Sequence, residues 1–273
     1  MPRAVTGPKI AGAVSTTGPG EIPVGVRRLF AEGFHVADIT EPLASFDAED
    51  LGDVVAQVMD ADRYSVAGVR RRGMVAGYVE RDRLGTGPCG AVMTDFRSAT
   101  RLEGSAPLSA AIRVLARQPR VFVTAFGAVA GVVTANDVQK PAARMWLFGM
   151  VTMIELRHTR LIADLCPGDS WREHLSEGRL KKAEELMAER RRRNRPADLL
   201  DCLHLSDKGT IVSRNEKIRN QTIFTSRREA EDGIRMLEGL RNNLAHAQDI
   251  VSSDWDAIVQ LSGHLDRALD ASD

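Results

Sequence analysis

Three side chains near the end of the chain have the types and spacing for proton transfer at a charged centre. They are Arg241, Asn242 and His246, in the run Leu240-Arg241-Asn242-Asn243-Leu244-Ala245-His246-Ala247. An imidazole titrates near neutrality and can give or take a proton. A guanidinium presents a planar fork of donors that stabilises charge on phosphoryl oxygens. Asn242 and His246, four residues apart, share a helix face, so the amide can orient the ring. Arg241 and His246 lie about 140° apart around a continuous helix. They meet at one phosphate only if the helix breaks between them or a second subunit supplies one of them. A second pair, Thr134 and Asp137, sets a hydroxyl and a carboxylate one turn apart, where a strand gives way to a helix. Thr134 is equally well placed as the N-cap of that helix. No convincing metal-ligand cluster is visible. The cysteines, Cys89, Cys166 and Cys202, are few, odd in number and without a C-x-x-C pair, which argues for a reducing compartment and against a disulfide framework.

The elements that must position these groups fall into two kinds. Residues 1–23, rich in Gly, Pro, Ser and Thr and without periodicity, read as a disordered tail. From Val24 to about residue 145 short apolar strands alternate with short helices. One stretch runs helix (apolar at Leu108, Ile112 and Leu115), strand Val121–Ala125, turn Phe126-Gly127, strand Ala128–Val133. An earlier stretch repeats it: helix Leu51–Met59, strand Tyr64–Val69, turn Arg70-Arg71-Arg72-Gly73, strand Met74–Val79. Gly73 and Gly77 stand 54 positions before Gly127 and Gly131, so the two copies share one turn-to-strand register, with a small gap at the helices. After Trp146 the strand signal disappears. Helices are expected at Phe148–Cys166, Trp171–Asn194, Ala197–Leu205, Ser226–Ala245 and from Ser253 on. Ser206–Gly209 reads as a turn, and Ser226 with Glu229 as a capping box.

The stretch Gly131-Val132-Val133-Thr134-Ala135-Asn136-Asp137 resembles a CBS domain, the cystathionine-β-synthase type. The resemblance implies a tandem pair, about 45–95 and 96–145, folded as one module with an adenine nucleotide (AMP, ADP or ATP) bound between the copies. Thr134 and Asp137 match the positions that hold the ribose, and a hydroxyl and a carboxylate so spaced can hydrogen-bond a diol. The first copy departs from the pattern, with Glu80 in place of the hydroxyl and Arg83 in place of the carboxylate, so at most one good site is expected.

The Arg241-Asn242…His246 motif resembles that of the HEPN superfamily over roughly residues 146–273. Those are small helical domains, many of them metal-independent ribonucleases acting as dimers. The resemblance implies cleavage of RNA by its own 2′-hydroxyl, leaving 2′,3′-cyclic phosphate ends, with Arg241 stabilising charge, His246 moving protons and Asn242 orienting. It also implies a role as toxin or stress effector, a homodimer, and no cofactor for catalysis.

Composition constrains the rest. Lys plus Arg equals Asp plus Glu at 37 each over 273 residues, so no global field draws the molecule to nucleic acid or membrane. The arginines of Arg190–Arg195 sit at a helix C-terminus, where solvated cations complement the dipole as well as they would bind phosphate. No signal peptide is recognisable and Met145–Ile154 is too short to span a bilayer, so a cytoplasmic protein is expected. The expectation is an α+β chain: a CBS-like repeat module that senses a nucleotide or holds a dimer, then an all-helical HEPN-like bundle that cuts RNA. The alternative is a non-catalytic sensor or scaffold in which both halves bind.

Overall fold

The computed structural model describes residues 23–195 and 197–270, except the side chains of 264–270. The expected tail, apart from Pro23, therefore lies outside what is described. In chain order the elements are α1 (Val24–Glu32), β1 (Glu41–Pro42), β2 (Ser45–Asp47), α2 (Gly52–Ala61), β3 (Val66–Arg71) and β4 (Met74–Glu80). Next come β5 (Thr94–Asp95), β6 (Arg101–Glu103), α3 (Leu108–Leu115), β7 (Arg120–Ala125) and β8 (Ala128–Thr134). The remainder is helical: α4 (Pro141–Leu165), α5 (Glu177–Arg192), α6 (Leu205–Arg214), α7 (Glu216–Arg219), α8 (Arg227–Ala245) and α9 (Val251–Asp270).

The strands form two four-stranded sheets, β2-β3-β4-β5 and β1-β8-β7-β6, with the same internal logic. In each, a short parallel strand (β2 or β6) joins the first arm of an antiparallel hairpin, and a two-residue strand (β5 or β1) joins the second. Strand β1 precedes the first repeat in sequence but completes the sheet of the second. The hairpins turn on Arg72-Gly73 and Phe126-Gly127, each with two successive positive φ angles, as a two-residue turn matched to strand twist requires. Both hairpins slip register at the same place, Val69/Arg70 and Val123/Thr124.

The shared spacing of the second glycines has a steric cause. A Cβ on Gly77 would lie 2.5 Å from the Thr94 carbonyl oxygen, and one on Gly131 would lie 2.7 Å from that of Glu41. Each glycine is where the short edge strand crosses. The charged turn expected at Arg70–Gly73 is confined to Arg72-Gly73, because Arg70 and Arg71 continue the ladder opposite Val75 and Met74.

Strands β3 and β7 are buried on both faces, which is why they read as apolar runs and not as alternation. Val121 and Val123 face the core beneath α3, while Phe122 faces the other repeat and meets Tyr78 and Phe96 at ring-centroid distances of 4.7 and 4.9 Å. The repeats therefore join through an aromatic seam.

The expected limit at 145/146 falls inside α4. Pro141 supplies the first turn, where a missing N–H costs nothing, and the helix runs on through Leu165. Its N-terminal half (Ala143, Trp146, Leu147, Met150) shares one core with Val121, Val123 and Ile112 of the second repeat and with Leu237, Leu240, Ile258 and Leu261 of α8 and α9. Its C-terminal half (Ile162) enters a separate core with Trp171, Ile211, Ile218 and Ile234. Helix α1 joins the first of these, where the Trp146 indole N–H donates to the Phe30 carbonyl at 2.9 Å. The second repeat and the helices are thus one packed unit, whereas the first repeat keeps its own core of Val55, Met59, Ala67, Val69 and Val79.

Three helical segments differ from expectation. The helix expected at Trp171–Asn194 begins only at Glu177 and ends at Arg192, and Trp171 lies before it in a 3-10 segment (Pro167–His174) that contains the left-handed residues Gly168 and Asp169. Ser206–Gly209 is the first turn of α6, capped by the His204 side chain and Asp207. Residues 200–202 form only a short 3-10 turn in place of the helix expected at Ala197–Leu205.

Candidate functional site

The Thr134–Asp137 pair lies at the end of β8, where a 3-10 turn (Ala135–Gln139) begins. Asp137 accepts from the Thr134 amide at 2.7 Å and from the Thr134 hydroxyl at 2.9 Å. Its other oxygen lies 2.9 Å from the Lys140 ammonium, which also reaches Glu41 at 2.5 Å and the Ile39 carbonyl at 2.7 Å. Burial works to lower the Lys140 pKa, but hydrogen bonds and charge from Glu41 and Asp137 outweigh it and hold the group above its ordinary value. The two residues expected to grip a diol thus grip each other as a cap. Asp137 is buried and Thr134 half-buried.

The matching positions of the first repeat are committed elsewhere. Glu80, in place of the hydroxyl, forms an ion pair with Arg120 at the start of β7 in the other repeat. Arg83, in place of the carboxylate, donates to the Thr94 hydroxyl at 3.3 Å. A strand-end ion pair across the two repeats occupies the place where a second hydroxyl would sit.

The second group lies at the C-terminus of α8. Arg241 and Asn242 belong to the helix, which ends at Ala245, so His246 is the C-cap. Ala247 follows with φ of 53°, and the chain closes as a Schellman motif: Gln248 N–H donates to the Asn243 carbonyl at 2.9 Å and Ala247 N–H to that of Leu244 at 3.5 Å. The helix therefore does break at the histidine. Leu237 and Leu240 point into the core and Leu244 is partly buried against it. Arg241, Asn242 and His246 lie outside that core, and among the described residues no hydrogen bond or ion pair engages their side chains or links them. One copy of the chain leaves them as separate groups.

The residues that hold this terminus are others. The Arg144 guanidinium, from the first turn of α4, donates to the carbonyls of Asn243 (3.0 Å), Leu244 (3.3 Å) and Gln248 (2.9 Å), and to the Gln139 side-chain oxygen (3.0 Å). A cation on the last carbonyls of a helix satisfies acceptors that have no intrahelical donor and opposes the helix dipole. Gln139 also accepts from the Ile250 amide at 3.4 Å and donates to Asp249. Asp249 caps the start of α9 through Ser252 and the Val251 amide; these bonds, the Ser252 hydroxyl first, hold its carboxyl below the ordinary carboxylate range. Asn243, the second asparagine of the motif, donates to Asp254 at 2.8 Å and so ties α8 to α9.

No protein-family model matches this sequence. No curated protein matches it either. Solved structures do. CBSX2 in complex with AMP is 20% identical, with a TM-score of 0.36 over 41% of this chain and 98% of that one. CBSX2, described as a CBS-pair protein, is from Arabidopsis thaliana. An uncharacterized conserved protein from Pyrococcus horikoshii is 16% identical, with a TM-score of 0.35 over 39% of this chain and 90% of that one. The CBS domain of a bacterial CNNM/CorC family Mg2+ transporter in complex with ATP is 17% identical, with a TM-score of 0.34 over 42% and 90%.

Among the described residues no group of three or more His, Cys, Asp or Glu is placed to hold a metal ion, and no helix is long and apolar enough to cross a membrane. Of the arginines at the end of α5, Arg192 and Arg193 pair with Glu189, and Arg190 donates to the Asp201 carbonyl.

Proposed function

We propose that this chain is a nucleotide-responsive regulator in which the second repeat receives the ligand and the α8 terminus is the responding site. The observation that carries the reading is the proximity, through one 3-10 turn, of the Thr134–Asp137 cap and the side chains that hold residues 243–250. An adenine nucleotide is the proposed ligand, with its ribose diol taking the hydrogen-bonding capacity that Thr134 and Asp137 now spend on each other. Titration calorimetry with AMP, ADP and ATP tests it: heats that vanish in Thr134→Val and Asp137→Asn support the site, and their persistence in both variants removes it.

A second reading, that the helical part is a HEPN-type metal-independent ribonuclease, is favoured by one feature. Arg241 and His246 are uncommitted at a helix end that breaks at the histidine. Because one copy does not bring them together, this reading needs a homodimer. Incubation with total RNA in EDTA tests it. Cleavage by the wild type that leaves cyclic-phosphate ends and is lost in Arg241→Ala and His246→Ala supports the ribonuclease. Intact RNA with a dimeric wild type leaves the sensor alone.

A further inference from the structure

We infer that Gln139 and Arg144 form a brace through which the state of the Thr134–Asp137 cap sets the order of the loop carrying His246. The inference rests on the nucleotide-responsive reading above and deepens it by naming the regulated element.

The chain of contacts is short and continuous. Asp137 is fixed by three donors, the Thr134 amide, the Thr134 hydroxyl and Lys140. Val138, next to it, is fully buried in the core shared with α4 and α9, so the turn cannot drift freely. Gln139 ends the turn, and its side-chain oxygen takes both Arg144 and the Ile250 amide. Arg144 in turn holds the carbonyls of Asn243, Leu244 and Gln248, which frame His246 and the left-handed Ala247.

A diol arriving at Asp137 must compete for the oxygens that Thr134 and Lys140 occupy. It therefore makes contacts in the opened turn that it cannot make in the closed one, which is the differential affinity a conformational shift requires. Opening the turn withdraws Gln139 from Ile250 and from Arg144. The loop 243–250 then loses the Gln139 bonds to Asp249 and to the Ile250 amide, and Arg144 holds its three carbonyls without the anchor that Gln139 gave it, so the segment around His246, with a strained alanine at its centre, becomes more mobile.

Amide hydrogen exchange on the full chain reads each step. In Asp137→Asn and in Thr134→Val/Asp137→Asn, without nucleotide, the Gln248 and Ile250 amides should exchange about fivefold faster than in the wild type, as expected for loss of one modest hydrogen bond. In Gln139→Leu the same amides should already be fast and should not respond further to Asp137→Asn. Addition of AMP or ATP to the wild type should reproduce the effect of Asp137→Asn. Cap variants that leave Gln248 and Ile250 unchanged overturn the brace, whether or not nucleotide binds. Faster exchange in the cap variants without any nucleotide binding keeps the brace and removes the adenine-nucleotide reading. Further acceleration by Asp137→Asn in a Gln139→Leu background also overturns it, because the signal then takes another route.

Discussion

His158 should make this protein acid-labile well above the range where its carboxylates titrate. The residue lies on α4 and is buried, and among the described residues its Nδ1 has no hydrogen-bond partner. Burial first, then the positive charges of Arg157 and Lys208, lower its pKa from 6.5 to about 4. Lys208, itself buried, is paired with Glu155 at 3.0 Å. The sign follows from proton counting. Below pH 6.5 the unfolded chain binds a proton at this position and the folded chain does not, until about pH 4. Stability that is complete above pH 6.5 is withdrawn as pH falls through that window, by about 2.5 kcal/mol at pH 4.5 and on the order of 3 kcal/mol in all. For a chain of this size that corresponds to roughly 5–10 °C in Tm between pH 7.5 and 4.5. The carboxylates held below their ordinary values, Asp47, Asp60 and Asp249, withdraw their contributions mainly as pH falls through and below 3.8, so the histidine dominates this change between pH 6.5 and 4.5. Thermal unfolding of the wild type and His158→Leu at pH 7.5, 6.5, 5.5 and 4.5 measures it. The leucine variant should match or exceed the wild type at pH 7.5, because it removes an unsatisfied buried polar atom, and should lose far less on acidification. Equal acid sensitivity of the two proteins would refute the reasoning.

Other substitutions probe the elements that frame the two candidate sites. Ala247→Gly should raise stability by about 1 kcal/mol in urea denaturation, because glycine adopts the observed φ of 53° without the left-handed penalty. Arg144→Met keeps the aliphatic stem but strips donors from three carbonyls and the Gln139 oxygen; a loss of about 2–3 kcal/mol by the same assay is expected. Gly131→Ala should cost about 2–3 kcal/mol, since its Cβ would press on the Glu41 carbonyl and the Thr40 methyl. Gly73→Ala, also in a hairpin but with open space around its Cβ, should lose only the roughly 1 kcal/mol tied to its φ of 76°.

The repeat is legible in the sequence because its markers are local. A positive-φ glycine in a two-residue turn, and a second glycine four residues on where an edge strand crosses, leave a spacing that survives divergence of everything between them. The stripe Leu237, Leu240 and Leu244 is legible for the same reason, since periodicity alone assigns its face. Gln139 and Arg144 are not. Their partners lie 99 to 111 positions away and are mostly backbone carbonyls, which carry no residue signature. Helical spacing to His246 points to Asn242, whereas the fold uses the neighbouring Asn243 to bind α9. Ser206–Gly209 imitates a turn in composition, but His204 supplies a cap, and a Cβ on Gly209 would collide with the Ile234 side chain that crosses there.

Two repeats with nearly the same backbone differ in what covers their helices. The inward faces correspond: Val55, Ala56 and Met59 of α2 match Ala111, Ile112 and Leu115 of α3, all buried. The outward faces do not. Val114 of α3 packs into the core shared with α9, while the corresponding Val58 of α2 is 40% exposed. Covering α3 with α9 places the helical region against the repeat that carries Thr134 and Asp137, and not against the repeat whose equivalent positions are the ion-paired Glu80 and Arg83. The turn that ends that repeat then leads directly into α4, whose first turn supplies Arg144. A ligand at the first repeat would have to act across the aromatic seam of Tyr78, Phe96 and Phe122 before reaching α8. One at the second repeat is a single 3-10 turn away from the side chain that holds the helix end. Glu80 and Arg83 thus stand in the repeat remote from α8, and Thr134 and Asp137 in the one that shares its core with α8 and α9.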